Sequence, residues 1–175
     1  MIILALDIAT NTGVAVGQSG SNPTCWSVDL GKGKSEDLRF SRLLSLTSTL
    51  ITEHTPDLVA IEAPIGGRDT SHLLVGLAAC VRGCVANRKL PLVSYHSSTI
   101  RKHFVGRAIT TRDFPGLSKA KAKTQIKAVV MRQCQLLGID APDHDAADAA
   151  ALFDYACAIN AKGFQSKPAG GLFNG

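Results

Sequence analysis

The sequence predicts an α/β protein built on a mixed sheet, and three observations carry that expectation. Two apolar runs, Ile2-Ile3-Leu4-Ala5-Leu6 and Leu58-Val59-Ala60-Ile61, each end in a single carboxylate, Asp7 and Glu62. Short apolar runs bounded by turn signals read as strands buried on both faces. The first run is followed by two further strand-like stretches across short polar turns, the pattern of an antiparallel meander. After that, helical and strand-like spacing alternate, as in parallel crossovers. The predicted order is β-β-β-α-β-α-β-α-α, giving a five-stranded sheet of three antiparallel and then two parallel strands, flanked by helices.

The first strand ends at Asp7, and Thr10-Asn11-Thr12 turns the chain into a second strand over Val14 to Gln18. Gly17 and Ser19 to Pro23 form a loop dense in turn residues. A third strand runs from Thr24 to Leu30, closed by Gly31-Lys32-Gly33-Lys34. Ser35-Glu36-Asp37 has the composition of a helix start, and Leu38, Leu43, Leu44, Leu46, Leu50 and Ile51 keep helical spacing until Pro56. Ala63-Pro64 stops the strand that ends at Glu62. The next helix spans Ser71 to Arg88, with Leu73, Leu74, Leu77, Cys80, Val81 and Cys84 as its core stripe. Its neighbouring face carries the small residues Gly76, Ala78, Ala79 and Gly83. Leu90 to Ser94 is the last strand. A basic, poorly periodic segment follows from Tyr95 to Lys123, then helices over Ser118 to Leu137 and Asp143 to Ala161. Residues 1–161 read as one domain, and the glycine-bearing stretch 162–175 reads as a mobile tail.

Composition narrows the class. Hydrophobic residues at 45% and charged residues at 19% suit a folded globular domain rather than a disordered one. Lys and Arg outnumber Asp and Glu by 19 to 14, which permits a polyanionic partner without requiring one. No apolar run reaches membrane-spanning length and no secretory pattern precedes the first strand, so the expected setting is cytoplasmic, with no membrane partner. The five cysteines are an odd number, and Cys80 and Cys84 read as small core residues rather than ligands.

The chemistry lies in the acidic residues. Asp7 sits where a buried strand would surface, and an uncompensated carboxylate there is costly unless a metal or cation shares the site. The segment Asp143-His144-Asp145-Ala146-Ala147-Asp148 supplies more acid: Asp145 and Asp148, three apart, share a helix face, and Asp143 reads as the N-cap. The alanines around them would let that helix lie close on the sheet. If it crosses the ends of the first and fourth strands, Asp7, Glu62, Asp145 and Asp148 converge. Such a group suits hard divalent cations, Mg2+ or Mn2+, and two ions would serve phosphodiester displacement. His144 lies one turn from Asp148 and is a possible further ligand. A helix cap or an exposed strand-end charge is the bland alternative for any one of these acids.

Asp7-Ile8-Ala9-Thr10-Asn11-Thr12-Gly13, Ile61-Glu62 and Asp145-Ala146-Ala147-Asp148-Ala149, in that order, resemble the three acidic motifs of the RuvC Holliday-junction resolvases, members of the RNase H-like superfamily. The likeness spans about residues 1 to 160. Thr99 to Gly106 resembles a segment that bears a family lysine, whose place Arg101 takes, and Lys123-Thr124-Gln125-Ile126 resembles the family's K-x-Q-V helix start. The resemblance implies an RNase H-like fold and metal-dependent hydrolysis of four-way DNA junctions, leaving 5′-phosphate and 3′-hydroxyl ends. Asp7 would bridge two ions, Glu62, Asp145 and Asp148 would complete their coordination, and Lys123 would join them in catalysis. It further implies a two-fold homodimer, for which the Ser71 to Arg88 helix is the candidate interface, and a bacterial or phage-infected host cytoplasm.

DNA contacts are expected from Arg101, Lys102, Arg107, Lys119, Lys121 and Lys123, and from Ile65 and Arg68 in the loop after Glu62. That loop departs from the family, since Ile65 stands where an aromatic wedge is common, and the link between Gly106 and Lys123 is longer than usual. Rival readings are an RNase H-like nuclease for flaps or RNA–DNA hybrids, a cleavage-inactive junction-binding protein, and an actin-like ATPase. The last is disfavoured because that fold normally needs two such domains.

Overall fold

The computed structural model describes residues 1–64 and 71–163. Its elements run β1 (Ile2–Asp7), β2 (Asn11–Gln18), β3 (Thr24–Asp29), α1 (Glu36–His54), β4 (Leu58–Glu62), α2 (His72–Asn87), β5 (Leu92–Tyr95), α3 (Ser97–Val105), a 3-10 turn (Thr111–Asp113), α4 (Lys119–Leu136) and α5 (His144–Asn160). The five strands form one sheet in the order β3-β2-β1-β4-β5. β1 pairs antiparallel with β2 and β2 with β3, whereas β1 with β4 and β4 with β5 are parallel. This is the mixed sheet that the sequence predicts.

Strand alternation sends the residues of β1 to two different cores. Leu4 and Leu6, with Val14, Val59 and Ile61, meet α1 and α2 through Leu43, Leu50, Leu77 and Val81. Ile3 and Ala5, with Ala15 and Ala60, meet α5. On that second face small residues oppose small residues: Ala146, Ala147, Ala149, Ala150 and Ala151 of α5 are all buried. Alanine costs little entropy in a helix and leaves no bulk to hold the helix away from the sheet. Close packing of α5 is therefore written in the composition of both surfaces.

Three differences from the expected elements matter. The segment from Tyr95 to Lys123 is not irregular, because it contains α3, whose Ile100, Phe104 and Val105 are buried. Its three core residues lie among polar and basic ones over only nine residues, too short a span for a clear helical period. The buried stripe of α2 is Leu77, Ala78, Val81 and Val85, rotated from the predicted one, which leaves Cys80 and Cys84 only partly buried. Leu38 and Leu44 of α1, part of the helical spacing, are 37% and 43% exposed, and Thr47 takes a core place by bonding its hydroxyl to the Leu43 carbonyl at 2.8 Å. All five cysteines are free. Among the described residues no helix is long and apolar enough to cross a membrane. Residues 164–175 of the expected tail lie outside the described residues.

Candidate active site

Sheet register places the first two acids. Leu6 pairs with Ile61, so Asp7 and Glu62 follow at the same level on adjacent parallel strands. Alternation puts both on the α5 side, with Ala5 and Ala60 one step behind them. A cleft at this end of the sheet is lined by Asp7, Ile8, Glu62, Ala63, Pro64, Leu74 and Ala78.

The amino end of α5 supplies the other two acids. Asp143 caps it, its Oδ1 accepting from the amides of Asp145 (3.0 Å) and Ala146 (2.8 Å), while its Oδ2 accepts the Ser27 hydroxyl. Burial opposes ionisation of Asp143, but the Ala146 amide, Ser27 and the Asp145 amide outweigh it and hold the carboxyl below its ordinary range. The cap therefore ties the helix start to β3. The helix then sits directly over Gly13, where an added Cβ would lie 2.0 Å from the Asp145 carbonyl oxygen. No side chain could stand at that point without lifting Asp145 and Asp148 away from Asp7.

Cations converge on the acids. Lys127 of α4 places Nζ 2.6 Å from Asp145 Oδ1 and 3.8 Å from Asp148 Oδ2. Arg101 of α3 brings Nε to 3.8 Å from Asp148 Oδ1, and that buried nitrogen makes no hydrogen bond. Asn11 donates from Nδ2 to Asp145 Oδ2 at 2.7 Å. Ser97, at the start of α3, hydrogen-bonds the Glu62 side chain.

The charges do not balance. Burial, then Asp148 and Glu62, push the Asp7 carboxyl well above its ordinary range. Burial also raises Glu62 and Asp148, although Arg101 and Lys127 pull both down. Lys127 responds in the opposite sense: burial disfavours its charge, but the bond to Asp145 and the fields of Asp148, Asp145 and Asp7 outweigh that and raise it. Two cations thus offset part of a charge shared by four acids.

The donor set fits a hard divalent cation, because every carboxylate atom it offers is an oxygen and the excess charge is negative. As they stand, no three His, Cys, Asp or Glu among the described residues are grouped to hold a metal ion. Lys127 instead spans Asp145 and Asp148.

Of the sequence-predicted residues, Asp7, Glu62, Asp145, Asp148 and Arg101 meet here. His144 opens α5 beside the cluster, and its buried Nδ1 has no hydrogen-bond partner. Lys123 is exposed on α4, one turn before Lys127. Lys102, Lys119 and Lys121 are also exposed, and Arg107 pairs with Asp113 at 3.1 Å across the 3-10 turn. Ile65 and Arg68 lie outside the described residues. Sequence reading missed Lys127, Asn11 and Ser97. The signals were present: Lys127 follows Lys123 by one helical turn, and Ser97 precedes Arg101 by one.

The role of Lys127 is testable on stability. In metal-free protein, Lys127→Met leaves Asp145 without its nearest cation and Asp148 with Arg101 alone. The expected cost is about 1–2 kcal/mol, discounted for the partial exposure of the lysine. Thermal melting in EDTA would then fall by several degrees. An unchanged midpoint would show that Lys127 does not neutralise the cluster.

The sheet order, the crossovers and the helix laid over the sheet define an RNase H-like fold. Solved structures with this fold include RuvC of Thermus thermophilus in complex with Holliday junction substrate (TM-score 0.61, 17% identity, 87% of this chain and 90% of that one). A second Thermus thermophilus RuvC structure gives 0.61 and 15% over 90% of this chain and 96% of that one. The yeast mitochondrial Holliday junction resolvase Ydc2 gives 0.53 and 11% over 86% and 75%. At these identities the likeness is one of fold. No protein-family model and no curated protein sequence matches the chain.

Proposed function

We propose that this protein is a metal-dependent, structure-selective endonuclease that resolves four-way DNA junctions in recombination and repair, as a homodimer. The carrying observation is the convergence of Asp7, Glu62, Asp145 and Asp148 at one end of a sheet whose fold matches RuvC and Ydc2. Water adds to the scissile phosphorus and the bond to the 3′ oxygen breaks, leaving 5′-phosphate and 3′-hydroxyl ends.

Asp7, Glu62, Asp145 and Asp148, with His144 in reach, would hold Mg2+ or Mn2+, two ions in the full site. Bound there, the ions would supply the charge that activates water and steadies the leaving oxygen. The other groups serve position. Asn11 fixes the rotation of the Asp145 carboxylate, and Ser97 holds Glu62. Arg101, whose Nε lacks a hydrogen bond, faces negative charge as it develops on phosphate. Lys127, which neutralises Asp145 and Asp148, would be available to phosphate wherever cations took over that role, with Lys123 one turn away. Lys102, Arg107, Lys119 and Lys121 extend a basic surface suited to sequence-independent backbone contact.

The dimer reading rests on α2. Gly76 packs inside the chain against the Phe40 ring, and Ala78 is buried, so part of the small-residue face is used internally. Val75, Ala79 and Gly83 remain on the outer surface, with Val75 43% exposed.

The test is incubation of wild-type protein with labelled four-way junctions, flaps and RNA–DNA hybrids in Mg2+ or Mn2+. Paired symmetric nicks in the junction are expected. Cutting of hybrids or flaps alone would keep the centre and discard the substrate. Binding without cutting in either metal would discard the nuclease.

A further inference from the structure

A second hollow adjoins the carboxylate centre on the β3 side, lined by Thr10, Asn11, Asp29, Lys32 and Arg39. We propose that this hollow holds a backbone phosphate of the substrate strand next to the phosphate being cut. The inference rests on the nuclease reading above and adds a strand-binding subsite, on the side of the centre away from α4.

The loop geometry builds the hollow. Asp29 Oδ1 accepts from the amides of Gly31 (2.8 Å) and Lys32 (3.1 Å), which turns the chain back after β3. Arg39, half-buried near the start of α1, donates from Nε to the Gly31 carbonyl at 3.1 Å. That bond fixes the plane of the guanidinium and leaves its terminal nitrogens without a protein partner among the described residues. The Lys32 ammonium is likewise unpaired there. An oriented guanidinium fork beside a second cation matches the oxygens of a phosphate. Asp29 is the one acid in the lining, and one of its oxygens is already occupied by amides.

Register connects the hollow to the cutting centre. Asp7 pairs with Gly13 across β1 and β2, and Asn11 pairs with Asp29 across β2 and β3. Asn11 stands two residues from Gly13, about 7 Å along the strand. Charges on one DNA strand recur about every 3.4 Å of axial rise, so a phosphate in the hollow lies within a few nucleotides of one at Asp7. Asn11 belongs to both places, lining the hollow while its amide grips Asp145. A phosphate seated there would therefore press on the residue that orients a catalytic carboxylate.

Two variants test this by different routes. Lys32→Gln removes a side chain without bonds of its own, while Arg39→Gln also removes the Gly31 contact. Junction binding is measured in EDTA across a salt series. Lys89→Gln, just after α2 at the opposite end of the sheet, is the reference. Each test variant should bind roughly three- to tenfold more weakly, and its log–log salt slope should be shallower by about one phosphate contact. A scan of single neutral methylphosphonates along the cut strand should find one position, within a few nucleotides of the nick, that weakens wild type but not Lys32→Gln. Salt slopes and scans identical to wild type in both variants would overturn the subsite, whether or not junctions are cut. If wild type ignores junctions but binds duplex or hybrid with the Lys32 and Arg39 dependence intact, the subsite stands and the junction reading falls.

Discussion

Asp7→Asn is expected to abolish strand cleavage, by at least about 10³-fold, while leaving DNA binding in place and making the metal-free protein more stable. The loss follows from position. Asp7 lies at the end of the central strand β1, between Glu62 on β4 and the amino end of α5, where it would help to hold the cations that supply the charge for cleavage. Removing one preorganised charge from such a centre costs orders of magnitude in rate. The gain in stability follows from the imbalance of charge. Burial and the neighbouring carboxylates push the Asp7 carboxyl well above its ordinary range, so its ionised form opposes folding. A group raised in this way adds stability below its unfolded pKa, near 4, and loses it as pH climbs through the folded value.

The amide variant should therefore melt higher than wild type in EDTA at neutral pH, by a difference on the order of 1–3 kcal/mol. The gap should close as pH falls toward 4, where wild-type Asp7 is protonated as well. Divalent cation should raise the wild-type midpoint and reverse the order. Two measurements decide the matter, junction cleavage in Mn2+ and a pH series of thermal melts in EDTA. Full cleavage by Asp7→Asn would remove Asp7 from the centre. A variant that is less stable at neutral pH without metal would show that Asp7 is not held ionised at a cost.

The positions of Asp7 and Glu62 were legible because an unbroken apolar run reads as a strand buried on both faces, and a run that stops at one acid stops where the strand reaches the end of the sheet. Asp145 and Asp148 were legible from helical spacing, and their approach to the sheet from the alanines around them. What supports the acids was hidden, since it depends on how separate elements meet. Ser97 belongs to α3, whose short amphipathic pattern is masked by the basic residues beside it, although Arg101 of the same helix was expected. Lys127 lay just beyond a motif read as ending at Ile126, and only the packing of α4 beside α5 turns it toward Asp145. Asn11 looked like a turn residue but opens β2, and nothing local shows that its amide would reach a carboxylate 134 positions later. Cationic and amide partners are chosen by tertiary geometry, whereas strand ends and helix faces are chosen by local period.

Gly13→Ala should be the most damaging glycine-to-alanine change among the described residues. A Cβ there would stand 2.0 Å from the Asp145 carbonyl oxygen and 2.5 Å from its carbonyl carbon, and 3.2 Å from the Ala149 Cβ. The first two neighbours are backbone atoms of a helix already fixed by the Asp143 cap and by six buried alanines, so they cannot rotate aside as a side chain would. Relief requires α5 to lift from β2 at the point where Asp145 and Asp148 arise. The cost should exceed the usual 1–3 kcal/mol of overpacking, by roughly 1–2 kcal/mol more, and lower the melting midpoint by about 10 °C. Cleavage should fall with it even at temperatures where the variant stays folded, because two of the four acids have moved. Gly83→Ala is the matched comparison: an added Cβ in mid-α2 meets nothing within 4 Å, so the same methyl should stabilise by about 0.5–1 kcal/mol. A Gly13→Ala protein that melts and cuts like wild type would mean that α5 does not lie on β2 as described, and the convergence of the four carboxylates would lose its structural basis.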